Sequence, residues 1–416
     1  MTITRSEAEA LDQEDALAPF RERFVLDDGG RIYADGNSLG RLPRQTATRA
    51  EELMRAWGDK LVSGWHDWVE LPARVGDVLG RLLGAHDDEV LVCDSTTVNL
   101  YKLAHAALDM RPGAIATDAG NFPTDRYVLE GVAARRGVEL RLFETDDVEG
   151  PTVEDVRRVC ADGRVALICL SHVAFRSGAL ADMAAITARA RDAGALVIWD
   201  LGHSAGAVPV ALHDAGAELA VGCTYKYLNA GPGAPGFLYA RRELQSRLRS
   251  PIQGWFGQRD QFAMGPHYEP AEGIERFHAG TPPVLGLVSV EAGVELVLEA
   301  GMDSIRRKSE ALTDLTIVLA DERLASLGFR VASPRDRERR GGHVALAHPE
   351  SWRICRALIE RADVVPDFRP PDVVRLGFSP LYSRFVDVWD AVERLLQVLE
   401  SGEWREPRFN RRATVT

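Results

Sequence analysis

From about residue 89 to 239 the apolar residues gather into seven short runs, set apart by polar stretches with helical spacing. The runs span 90–93, 114–117, 138–143, 165–170, 196–199, 219–223 and 236–239. Their length and β-branched content predict strands, whereas 152–160 and 180–193 carry the spacing of amphipathic helices. This alternation predicts an α/β fold built on a mostly parallel seven-stranded sheet flanked by helices. Ligands of such sheets gather beyond the carboxyl ends of the strands, so chemistry is expected in the residues just after each run.

Past about Leu285 the pattern changes. A long helical stretch over 286–327 is followed by strand candidates at 329–331 and 343–347, a helix near 351–362, an extended Pro-rich passage and a last helix over 385–400. These elements predict a smaller α+β domain, on which the N-terminal segment packs back. A chain of 416 residues exceeds one ordinary core. We divide it into a large domain, 45–285, and a small domain formed by 1–44 and 286–416. The basic tail, 404–416, is expected as a surface extension.

A net charge of -12 and a pI near 5.4 disfavour nucleic acid and anionic membranes, whose phosphates call for a basic face. The five cysteines are scattered and form no C-x-x-C pair. They read as reduced, buried thiols rather than a disulfide framework or a zinc site, and no metal is expected. The first twenty residues lack a basic patch followed by an apolar core, and no apolar run is long enough to span a bilayer, so the expected compartment is the cytoplasm.

The chain spends fifty residues on Lys plus Arg, yet only four are lysine. Where arginine is the habit, a retained lysine is a candidate for work that a guanidinium cannot do, since only an amine loses its proton readily and attacks a carbonyl. Lys60, Lys102 and Lys308 lie in helical patterns and read as solvated charges. Lys226 lies between an apolar run and a Gly/Pro cluster, in Gly222-Cys-Thr-Tyr-Lys-Tyr-Leu-Asn-Ala-Gly-Pro-Gly233, and points to Schiff-base chemistry. Asp200 and His203 follow the 196–199 run, and a carboxylate there is what a pyridoxal phosphate site needs to keep the pyridine nitrogen protonated. By itself Asp200 could equally be a helix cap. Asp94-Ser-Thr-Thr-Val-Asn99 leaves a strand and opens a helix, which makes a phosphate cradle or, as readily, a simple N-cap. Phe122 could stack on a planar ring with Asp125 beside it, or Asn121 could cap a Pro-led helix. Ser171 and His172 end the fourth run.

Seven motifs in order carry a specific resemblance. They are Asp35-Gly-Asn-Ser-Leu-Gly40, Asn121-Phe-Pro-Thr-Asp-Arg-Tyr127, Ser171-His-Val173, Asp200-Leu-Gly-His-Ser-Ala-Gly206, Thr224-Tyr-Lys-Tyr-Leu-Asn-Ala-Gly-Pro-Gly233, Gln253-Gly-Trp-Phe-Gly257 and Arg339-Arg-Gly-Gly-His-Val344. Between about residues 30 and 390 the chain resembles the kynureninases, fold-type-I pyridoxal phosphate enzymes that cleave L-kynurenine with water to anthranilate and L-alanine in tryptophan degradation. The resemblance implies that Lys226 holds the cofactor covalently, Asp200 pairs with the pyridine nitrogen and His203 lies near the phenolic oxygen. It implies that Phe122 stacks on the ring, with Pro123, Thr124, Asp125 and Ser171 in the same shell. Thr96, Thr97 and Tyr225 would surround the phosphate, joined by Trp255 and Thr281 from the neighbouring subunit of a homodimer. Arg375 would clamp the substrate carboxylate, a task suited to a planar fork. Ser38 and Trp65 would meet the aryl half, and Tyr225 would relay a proton.

Gly202 and Ala230 depart from the family pattern beside the best motifs. The Trp65-His-Asp-Trp68 stretch and Thr281 resemble the bacterial, kynurenine-preferring form, with 3-hydroxy-L-kynurenine as a second candidate substrate. A cysteine desulfurase or selenocysteine lyase would need a reactive thiol on a mobile loop of the second domain, where the only cysteine, Cys355, reads as helical and core-facing. A non-catalytic scaffold would have no use for Lys226, Asp200, His203 and Arg375 together.

Overall fold

The structure is a computed structural model and describes residues 3–26 and 29–411; expectations that fall on 1–2, 27–28 and 412–416 lie outside the described residues. After a short strand β1 (Ile32–Tyr33), seven strands form the large sheet: β2 (Val90–Val92), β3 (Ala114–Asp118), β4 (Leu140–Phe143), β5 (Val165–Ser171), β6 (Leu196–Asp200), β7 (Leu219–Gly222) and β8 (Phe237–Ala240). Their order is β2-β8-β7-β6-β5-β3-β4. The strands from β4 across to β7 are parallel, and β8 runs antiparallel to both β7 and β2, as the expectation of a mostly parallel sheet requires. Within β5, Ile168 and Leu170 enter the core on one face while Leu167 and Cys169 enter the core on the other. Burial on both faces explains why the inner runs are apolar throughout, whereas β4, at the sheet edge and only partly buried, alternates with Glu139 and Arg141. The chain reverses its direction of travel across the sheet between β3 and β5, the place where ligands of such sheets bind.

The second unit holds β9 (Arg330–Val331), β10 (Val344–Ala347), β11 (Val364–Val365), β12 (Asp367–Arg369) and β13 (Val373–Leu376). Four of these make an antiparallel sheet in the order β12-β13-β10-β9, and β11 pairs with β1. The passage read as merely extended therefore contains three paired strands, β11, β12 and β13. The single stretch 286–327 is in fact two helices, Val284–Ala300 and Met302–Arg323, because Gly301 takes the left-handed φ of 78° between them. The first packs on helices Arg44–Lys60 and Leu71–Leu83, and its Leu287, Val290 and Val294 belong to the core of the large sheet. The second contributes Leu312, Leu315 and Leu319 to the other core, which Ala8 and Ala34 of the N-terminal segment also enter.

Two further expectations are overturned. The tail is not a surface extension over its described part, since Trp404 and Phe409 are buried in the second core. Lys102 and Lys308 are not solvated: both are buried, Lys102 against Asp94 and Lys308 at 2.6 Å from the buried Asp15. A charge leaves water only where an opposite charge or hydrogen bonds replace it, and each lysine has found such a partner. Lys60 is exposed, paired with Asp67 at 2.6 Å.

Candidate active site

Beyond the carboxyl ends of β3, β6 and β7 lies a cavity of about 300 Å³ lined by Thr96, Thr97, Phe122, Thr124, Asp125, Asp200, His203, Tyr225 and Lys226. Each wall has a local cause. Ser95 caps helix Thr96–Met110 by accepting from the Val98 amide, so Thr96 and Thr97 stand in the first turn of a helix whose positive end faces the cavity. Both readings of that motif therefore hold together: Ser95 is the cap, and the threonines are free for an anion. Asn121 accepts from the Phe122 amide and from the Ser171 hydroxyl, both at 2.7 Å, which fixes the start of helix Pro123–Arg136 against the end of β5. Phe122 remains 36% exposed at the cavity with its edge on Phe175.

The Lys226 loop is seated on the motif 35–40. The Gly40 amide donates to the Tyr225 carbonyl at 2.8 Å, and a β carbon on Gly40 would fall 2.3 Å from the Lys226 carbonyl oxygen. Only glycine permits this approach. Lys226 Nζ then reaches within 3.3 Å of both ring nitrogens of His203. Burial, with Lys226 and Arg375 nearby, drives the His203 imidazole well below its usual range, so it stands neutral beside the amine. Asp200 accepts from the Gly202 amide at 2.8 Å, and its carboxyl is raised chiefly by burial. Asp125 is raised well above its usual range by burial and by Asp200, and its Oδ2 has no partner among the described residues. Two buried carboxyls, one of them with a partnerless oxygen, suit a ring that brings an N–H donor and positive charge. The residues present fit pyridoxal phosphate: the helix terminus would take its phosphate, Phe122 would face its ring, and Asp200 and Lys226 would serve its ring nitrogen and aldehyde.

Arg375, on β13, sits directly across the ladder from Asp367 on β12. It is fully buried. Its Nε donates to Asp367 Oδ1 at 2.7 Å, its Nη2 to Asp367 Oδ2 and to Ser38 at 3.1 Å, and its Nη1 to the Phe175 carbonyl. Ser38 in turn donates to Asp367 at 2.8 Å, so it stands beside Arg375 rather than beside Trp65. His343 is a buried imidazole with its ring centre 5.8 Å from that of His203.

The chain is 45% identical over 424 residues to a kynureninase of Burkholderia mallei (strain SAVP1), covering 99% of this chain and 100% of that protein. It is 43% identical to a kynureninase of Pseudomonas fluorescens with the same coverage, and residues 305–395 match the family profile described as the kynureninase C-terminal domain. The chain belongs to the kynureninase family. The likeness to solved structures is one of fold: a cysteine desulfurase from Thermococcus onnurineus NA1 has a TM-score of 0.79 at 21% identity, covering 92% of this chain and 97% of that one. One from Escherichia coli has 0.80 at 18%, covering 92% and 98%.

Of the residues expected from the kynureninase pattern, nine line this cavity; Pro123, Ser38 and Arg375 are not among its lining, Ser171 lines a smaller neighbouring cavity, and three more lie elsewhere. Trp65 and Thr281 line a separate apolar groove of about 530 Å³ with Leu53, Trp57, Val62 and Leu285. Trp255 is 42% exposed and packs on Phe256. The motifs gave no part to Asp367 or Lys102, and none to His343 beyond its place in a motif. Asp367 was hidden because its partner lies across a hairpin; the signal for Lys102 is that Asn99, Leu103 and Ala106 put it on a buried helical stripe.

Proposed function

We propose that this kynureninase-family chain cleaves L-kynurenine with water to anthranilate and L-alanine, and that Lys226 is the residue on which the reaction turns. The carrying observation is the Lys226 amine at the cavity floor, flanked by a neutral His203 and faced by two buried carboxyls. Bound pyridoxal phosphate supplies an electron sink for charge that develops at the substrate α carbon. Asp200 would accept from the protonated ring nitrogen of that sink. Lys226, as a free amine, takes the α proton, and His203 beside it accepts a hydrogen bond from the resulting ammonium. Arg375 orients the substrate carboxylate, with Asp367 and Ser38 fixing the fork. Water adds to the γ carbonyl carbon, the bond between the β and γ carbons breaks, anthranilate leaves and the alanyl carbon is protonated. Tyr225, whose phenol is raised by the neighbouring Cys223 and by burial, stays protonated and is our donor for that proton.

We propose further that the protein works as a homodimer in which Trp255 and Thr281 complete the partner's site. Each of the five cysteines is buried, and burial raises the Cys355 thiol, which speaks against a desulfurase nucleophile. Lys226→Ala should abolish both anthranilate release and the visible absorbance of bound cofactor, and a variant that still releases anthranilate would sink the assignment. The same assay on wild-type protein, run with L-kynurenine and 3-hydroxy-L-kynurenine and read by product fluorescence, should favour the former.

A further inference from the structure

Lys102 has no part in the chemistry above, yet it is completely buried in helix Thr96–Met110. Its Nζ donates to Asp94 Oδ2 and, at 2.6 Å, to the carbonyl of Phe277. Methionine or leucine would fill the same space without the cost of burying an ammonium. A weaker contact reaches Cys93 Sγ at 3.9 Å, and the two oxygen acceptors say what the charge is for.

Asp94 follows β2 and Cys93 and directly precedes the cap Ser95, and it holds a left-handed φ of 47°. Its carbonyl accepts from the Gly236 amide at 2.8 Å, so the turn that presents Thr96 and Thr97 is gripped by its main chain on one side and by Lys102 through its carboxylate on the other. Phe277 closes the turn Gly273–Phe277 and leads through His278 and Ala279 to Thr281. That strand of chain is locked to the one bearing Trp255. A β carbon on Gly254 would lie 1.6 Å from the Ala279 carbonyl oxygen, and one on Gly257 would lie 2.6 Å from that of His278. The two segments touch through backbone.

We propose that Lys102 is a positioning residue for the cofactor phosphate: its ammonium fixes the turn that seats the phosphate and ties that turn to the strap carrying Trp255 and Thr281. This rests on the functional reading above and extends it, because order in the seat and order in the strap then share one tie. By linkage, phosphate binding that orders the turn also orders the strap, and the reverse. The strap is the part expected to reach a second copy, so occupancy of one site bears on completion of the other.

The test uses full-length Lys102→Met, Asp94→Asn and the double variant, each stripped of cofactor and titrated with pyridoxal phosphate by absorbance. Unfolding temperature and amide exchange are recorded alongside. Lys102→Met should raise the dissociation constant for pyridoxal phosphate by about tenfold or more, the loss expected for a hydrogen bond to a charged group. The double variant should bind no worse than Lys102→Met, and amides of 278–281 should exchange faster in the loaded variant. A core-filling role would lower the unfolding temperature alone, so a dissociation constant within about twofold of wild type overturns the inference. Should Lys102→Met not fold, Asp94→Asn decides by the same criterion, its carboxylate being 26% exposed. Wild-type protein that binds no pyridoxal phosphate would overturn the functional reading itself, whereas unchanged binding by the variants overturns only the role of Lys102.

Discussion

At the scale of single residues, the site is built from groups held in a protonation state they would not keep in water. Asp118, at the end of β3 but outside the lining of the Lys226 cavity, shows the same effect: burial raises its carboxyl to about 6, although it accepts from the Gly120 amide. The fold favours the protonated form. Its stabilising contribution is therefore full below the ordinary carboxylate value near 4 and is lost as pH rises through about 6. A carboxyl moved from near 4 to about 6 separates its two protonation states by about 3 kcal/mol. Asp118→Asn keeps an acceptor for Gly120 and cannot ionise, so it should match wild type near pH 4 and gain on it by roughly that amount at about pH 7.5. Urea unfolding of the cofactor-free protein at the two pH values checks this, and a difference independent of pH would count against it.

At the scale of elements, the described tail behaves as part of the second core. Phe409 is 1% exposed beside Trp404 and helix Ser351–Ala362. Truncating it leaves a cavity where Phe→Ala costs about 4 kcal/mol. Phe409→Ala should lower the urea midpoint accordingly, whereas a surface extension would tolerate the change. The sequence hid this because the segment is rich in arginine and glutamate, and two isolated aromatics show no period. The seven strands of the large sheet were legible for the opposite reason: runs of four to six residues, mostly apolar, between turn signals have few other uses. In β12 and β13 the signal failed, since Pro366, Pro370 and Pro371 read as breaks while Arg375 interrupts an otherwise apolar strand. The helix break at Gly301 was masked by good helix formers on both sides. In the site, residues at strand ends could be read in chain order. Lys102 and Lys308 misled, because a lysine at helical spacing defaults to solvent and only a tertiary partner such as Asp94 or Asp15 reverses that.

At the scale of the molecule, residues expected at the cofactor lie away from it. Trp65 and Thr281 lie in an apolar groove apart from the Lys226 cavity, and its rim exposes Trp57 at 58%, Val62 at 80% and Leu285 at 52%. A clustered apolar surface of this kind on a protein of net charge -12 is the mark of an interface. We propose that a second copy covers it, which buries the groove and carries Trp255 and Thr281 to the partner's cofactor. Val62→Asp puts a charge where the two copies would meet, and a carboxylate desolvated without a partner is costly. The variant should fold with wild-type circular dichroism, sediment as a monomer at concentrations where wild type is a dimer, and hold pyridoxal phosphate more weakly, since each site would lack two of its walls. Trp57→Asp should repeat the effect from the neighbouring helix. The two readings part cleanly: if the groove serves only substrate entry, both variants remain dimeric and keep their cofactor while KM alone rises.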